Sequence, residues 1–174
     1  MKLERYALIA EIVGALAVVV SMLYVGYSVQ INTAERRSAS VESITSGYRQ
    51  LALVYVNNEA AGIAWHKVLD REELTKRQVD LMSDSIYAHL MALEEAYNKY
   101  QEGYIDEEFL NARVSLMQTK LLLSPQIRAV YDSMTDRQGG SIYTQSFVEW
   151  LNKELQKSPL YNNPPPITKL EDSE

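Results

Sequence analysis

The chain has 174 residues, and 23 acidic against 17 basic side chains leave a formal charge of −6, which suits one folded domain plus one extra element and argues against a nucleic-acid partner. A hydrophobic fraction of 47% excludes wholesale disorder. The absence of cysteine excludes disulfides, thiolate zinc sites, iron–sulfur clusters and cysteine nucleophiles, and two histidines leave little for a metal or acid–base centre.

The first element is apolar. From Ile12 to Val29 no residue is charged. Counted from Leu8 and admitting Glu11, the stretch to Val29 is roughly 33 Å long as a helix. That matches a hydrocarbon core of about 30 Å. Tyr6 precedes the run and Tyr24 and Tyr27 end it, as interface-seeking rings do. Residues 1–34 therefore read as a short tail and a single transmembrane helix spanning about 8–29. A cleaved signal peptide fits less well, because the run is long and Asn32-Thr33-Ala34 is a poor cleavage site. A buried core helix needs a polar face, which Ile12–Val20 lacks.

The first 34 residues are charge-balanced, so residues 35–174 carry the whole −6. The Arg36-Arg37 pair points to an outward N-terminus and a cytoplasmic C-terminal domain. Ala10, Gly14, Ala17, Ser21 and Ser28 form a strip of small residues, a candidate helix-association face that suits a homo-oligomer. With Glu11, the Ser21 and Ser28 hydroxyls could instead line a small oligomeric pore.

Beyond the span, Ala34, Val41, Ile44, Tyr48, Leu51 and Tyr55 keep a three-four spacing. The first helix is therefore expected to continue past a polar break at 30–37. Asn57-Asn58 marks a turn, and 59–69 reads as a short helix carrying Ile63, Trp65 and Val68 inward. Thr75 and Gln78 form a capping box, with Leu74 able to staple onto Val79. The helix they start runs through Met82, Ile86, Leu90, Leu93 and Tyr97 until Gly103 stops it. Asp106 caps the next one, whose stripe is Leu110, Val114, Met117 and Leu121. Ser124-Pro125 starts another, with Ile127, Val130, Tyr131 and Met134 inward. Gly139-Gly140 breaks the chain, and Phe147, Trp150, Leu151 and Leu155 mark the last amphipathic helix. Residues 35–157 thus read as one helical bundle. Residues 158–174, with a run of prolines and an acidic end, read as an extended, mobile tail. The fold class is all-α.

The search for chemistry finds little. Neither His66 nor His89 follows a glutamate by three, so the di-iron motif of four-helix bundles is absent. No zinc-protease motif, Gly-rich phosphate loop or nucleophile elbow is present. Ser141 reads as a helix N-cap. Glu94 and Glu102 suit an outer face, and Asp106, Glu107 and Glu108 suit a helix N-terminus. Glu95 sits four before Lys99, a favourable helical pair, with a turn towards a helix junction, two after Leu93, as the alternative. Twelve tyrosines are many for a helical chain with two phenylalanines. Trp65, His66, Glu95, Tyr97, Tyr131 and Trp150 are the candidate pocket or interaction residues, with half-buried packing as the simpler role for the rings.

Several pieces in order carry a resemblance: Asn58-Glu59 leading to Trp65, Leu74-Thr75, Glu95-x-Tyr97, Tyr100-x-x-Gly103, Ile105 to Phe109, Leu123-Ser124-Pro125 and Phe147-Val148. Across most of residues 8–150 the chain resembles a broad group of uncharacterised bacterial proteins with an N-terminal membrane helix and a compact helical domain. That resemblance implies an architecture and no established activity. The expected protein is a single-pass protein of the bacterial inner membrane, with no cofactor, metal or catalytic residue. Its partners would be the lipid bilayer and either a second copy or a membrane-associated protein. The alternative function is a membrane-tethered small-molecule sensor with an aromatic pocket.

Overall fold

A computed structural model of the chain describes residues 2–136, 141–163 and 166. Every regular element among them is helical: α1 (Lys2–Asn57), α2 (Glu59–Asp70), α3 (Lys76–Gln101), α4 (Glu107–Leu122), α5 (Pro125–Thr135), α6 (Gln145–Gln156) and α7 (Pro159–Asn162). The all-α class and the long apolar N-terminal helix ahead of a bundle are as the sequence implies. The chain divides into two units, residues 1–39 and residues 40–174.

The first unit is helix alone. The large apolar side chains from Ile12 to Val29 are each more than half exposed. This helix is long and apolar enough to cross a membrane, and it lies near the N-terminus, where a signal sequence has the same character.

The second unit is the bundle. α3 packs against α2, α4 and α5, and α4 packs also against α6. Met82, Ile86, Leu90 and Leu93 of α3 are fully buried at helical spacing, opposite Leu110, Val114, Met117 and Leu121 of α4. The helix boundaries follow from local chemistry. Asn58 Oδ1 accepts from Ala61 N at 3.2 Å to start α2. The Thr75–Gln78 box is formed in both directions. Gly103 takes φ +75, and Tyr104 N donates to Lys99 O at 2.9 Å, closing the end of α3. Asp106 Oδ1 accepts from Phe109 N at 2.7 Å, and Ser124 followed by Pro125 opens α5. Between α2 and α3, the Gln126 side chain pairs with both backbone groups of Leu74, at 2.8 and 2.9 Å.

Four local expectations come out differently. Ile63 is exposed, because α2 buries its small face of Ala61, Ala64 and Val68. That face permits close approach: a Cβ on Gly62 would stand 2.9 Å from the backbone oxygen of Tyr55. Ser141 does not cap α6. Its hydroxyl closes a turn on Tyr143, and the N-cap position belongs to Thr144, which makes no capping bond itself. Glu94 fastens that position from α3 instead, accepting from Thr144 N and Oγ1 at 2.7 Å each. Lys99 pairs with Glu102 at 2.9 Å rather than with Glu95. The segment read as extended tail begins with α7, whose Leu160 and Tyr161 pack on the core. The rest of that tail, other than Asn163 and Pro166, lies outside the described residues, as do Gly139 and Gly140.

Candidate functional site

The most unusual chemistry of the bundle lies where residues 40–57 of α1 meet α3 and α4. Tyr48 and Tyr55 stand one heptad apart on α1, and Arg113 and Lys120 stand one heptad apart on α4. The Arg113 guanidinium lies 5.4 Å from the Tyr48 ring centroid and 4.2 Å from that of Phe109. The Lys120 ammonium lies 4.5 Å from the Tyr55 centroid and 4.2 Å from that of Trp65. Equal spacing in the same chain direction means that the two helices run parallel with matched registers. Each cation faces aromatic rings, a favourable arrangement where water is excluded.

Lys120 is 3% exposed and, among the described residues, has no carboxylate partner. Its ammonium donates to the Tyr55 hydroxyl at 3.0 Å. The same oxygen is hydrogen-bonded to Ser85 Oγ. Burial pulls the Lys120 amine down to about 8.

His89 lies on α3 between the two tyrosines. Its ring centroid is 6.1 Å from that of Tyr48 and 6.2 Å from that of Tyr55. Its Nδ1 stands 2.7 Å from the Ser85 carbonyl oxygen; a carbonyl only accepts, so Nδ1 carries the proton. Ser85 Oγ is 3.5 Å from the same nitrogen. Burial and the nearby Lys120 charge lower the imidazole to about 4, against the opposing bond to Ser85. His89 is therefore neutral at pH 7. The Tyr48 hydroxyl and Arg113 Nε are buried here without a hydrogen-bond partner.

The candidate pocket residues from the sequence do not converge. Trp65 belongs to the network, with its centroid 5.7 Å from that of Tyr55. His66 and Glu95 are exposed. Tyr97 and Trp150 do meet, centroids 4.7 Å apart, with Phe147 at 5.9 Å from each. They form part of the α3–α6 packing. Tyr131 is buried and donates to Asn152 Oδ1 at 2.9 Å. Glu95 borders an open groove of about 640 Å³ between α1 and α3, with Gly47, Leu51, Ala88 and Ala92 among its walls. A second groove of about 890 Å³ lies where α2 meets the start of α3, beside Ile63 and Leu81. Neither groove is lined by Lys120 or His89. Among the described residues no cluster of three or more potential metal ligands occurs.

Sequence reasoning placed His89 on the long helix and weighed it as a di-iron ligand that lacks its motif, and it passed over Lys120 and Arg113. The signal was present. Each basic residue immediately precedes a member of the buried α4 stripe, Val114 or Leu121, and their separation equals that of Tyr48 and Tyr55. Comparison with known protein families, with curated proteins and with solved structures finds no match to this chain.

Proposed function

We propose that the protein is a membrane-anchored helical interaction module. Residues 8–29 sit in the lipid, and the helical domain binds a second copy or a membrane-associated protein. The observation that supports this is the uncovered apolar surface of α1 from Ile12 to Val29. Each Leu, Ile or Val there favours insertion by roughly 0.3 to 0.6 kcal/mol. Such a surface left in water is a strong drive to associate. The inner membrane of a bacterium, with the domain on the cytoplasmic side of Arg36 and Arg37, is the placement that goes with it. The strip from Ala10 to Ser28 would bring copies together.

The test is fractionation of cells expressing the full chain, followed by carbonate extraction and N-terminal sequencing. Retention in the membrane with an intact N-terminus is expected. Recovery from the aqueous phase without detergent, or a mature N-terminus after Tyr27, overturns the anchor. Crosslinking in native membranes with mass spectrometry then separates self-association from capture of a partner. Reporter fusions at the C-terminus decide the orientation.

A further inference from the structure

We propose that His89 is the trigger of an acid-operated docking switch: protonation of its imidazole releases residues 40–57 of α1 from α3 and α4. The proposal concerns residues 40–174 alone and stands whether or not residues 8–29 cross lipid.

Among the described residues, the groups around His89 are neutral or cationic. From α1 it meets the rings of Tyr48 and Tyr55. From α3 it meets Ser85. From α4 the Lys120 charge acts on it, and Arg113 lies on the far partner of Tyr48. Trp65 of α2 closes the cluster over Lys120. Among the described residues neither His89 nor Lys120 has a carboxylate partner. An imidazolium here would be a further cation beside Lys120. The rings could not readily compensate, because Tyr48 already faces Arg113 and Tyr55 already faces Lys120. Like charges in a site shielded from water repel far more strongly than on the surface. Exposure to water relieves that repulsion, and a histidine is the side chain that gains its charge in this pH range.

The part that gives way is the one held least. Of residues 40–57, Ile44 is fully buried, while Tyr48, Leu51 and Tyr55 are half-buried. The Tyr48 hydroxyl is buried without a partner, a polar group that opening would hydrate. α3 and α4, by contrast, bury whole stripes in the common core. Local opening draws on segments with few buried contacts.

The experiment uses the full chain in lipid nanodiscs, with spin labels on Leu53→Cys and Met91→Cys. Both positions are exposed and the chain has no cysteine of its own. Distances are read by pulsed electron resonance from pH 7 to pH 4, with circular dichroism alongside. We expect a second, longer distance population that grows about tenfold or more over that range while helical content holds. His89→Gln abolishes the growth. Lys120→Met, which takes a cation from beside His89 and so removes part of the repulsion that drives opening, reduces the growth. A distance distribution that stays constant to pH 4 overturns the proposal. So does a normal transition in His89→Gln, or loss of helix in step with the distance change. Should His89→Gln fail to fold, undiminished growth in Lys120→Met overturns it equally.

Discussion

Lys120 Nζ sits 3.0 Å from the hydroxyl oxygen of Tyr55 and 4.5 Å from the centroid of the same ring. One tyrosine thus supplies both the hydrogen bond and a face for a cation that is almost wholly out of water. The Trp65 face, 4.2 Å away, supplies the other side.

A methionine at position 120 tests the balance. Lys120→Met keeps most of the stem's packing and removes the buried charge. Holding that charge, with its amine lowered from 10.5 to about 8, costs on the order of 3 kcal/mol. The lost hydrogen bond and ring contacts together offset about 2 kcal/mol of that. The expected result is a neutral to slightly more stable protein, by up to about 1 kcal/mol. Lys120→Ala should instead lose about 2 kcal/mol or more, because a cavity replaces the stem. Thermal unfolding of the two variants in detergent reads the difference. A Met variant markedly less stable than the parent would show that the ring contacts outweigh the burial cost.

The pH dependence has two limbs, and their signs agree. His89 is lowered from 6.5 to about 4, so between those values the unfolded chain binds more protons. This contribution is complete above 6.5 and is lost as pH falls towards 4. Lys120 is lowered from 10.5 to about 8, so the unfolded chain again binds more protons between them. Its penalty is full below about 8 and is relieved as pH rises to 10.5. The thermal midpoint should therefore climb from pH 4 to 6.5 and again from 8 to 10.5, before lysine and tyrosine titration elsewhere intervenes. Lys120→Met should flatten the upper limb and shrink the lower one, because it leaves burial without the Lys120 charge to lower His89.

How much of this was legible in the sequence depended on whether the cause was local. The Thr75–Gln78 box, the Asp106 cap and the Ser124-Pro125 start are written within four residues, and each forms as written. The buried stripes of α3 and α4 obey helical period and were equally plain. Glu94 was not legible, because its partner Thr144 is distant in the chain and an exposed-looking glutamate carries no mark of it. Lys120 was hidden for another reason. A lysine beside an apolar stripe ordinarily extends its stem over the surface and its head into water. Only the placement of Tyr55 and Trp65 above it turns that head inward.

Gly62 reports on how closely α2 lies against the end of α1. Its missing side chain faces a backbone oxygen, not a movable rotamer. Gly62→Ala would gain helix propensity of up to about 1 kcal/mol. The 2.9 Å contact with Tyr55 O must then be relieved by moving α2 away. Overpacking of that kind costs about 1–3 kcal/mol, so a net destabilisation of roughly 1 kcal/mol is expected. Because the displaced atoms adjoin Tyr55, the intrinsic fluorescence of Trp65 should shift as well. A variant stabilised by the full propensity gain would mean that the helices are not in contact there.

The last prediction concerns the fastening of α6. Thr144 holds the N-cap position but bonds nothing with its side chain in the usual sense; its amide and hydroxyl both donate to Glu94 Oε1. A carboxylate at that end also complements the helix dipole. Glu94→Ala removes both effects and should cost about 1 kcal/mol, typical of a lost cap. Glu94→Gln keeps an accepting oxygen and loses the charge, so it should cost less than half as much. Thr144→Val, which deletes the hydroxyl while keeping the amide, should fall between the two. In a double-mutant cycle, Glu94→Ala and Thr144→Val should couple, since they share one hydrogen bond. Strict additivity would place the Glu94 contribution in the charge, the dipole and the amide bond rather than in the bond to the Thr144 hydroxyl.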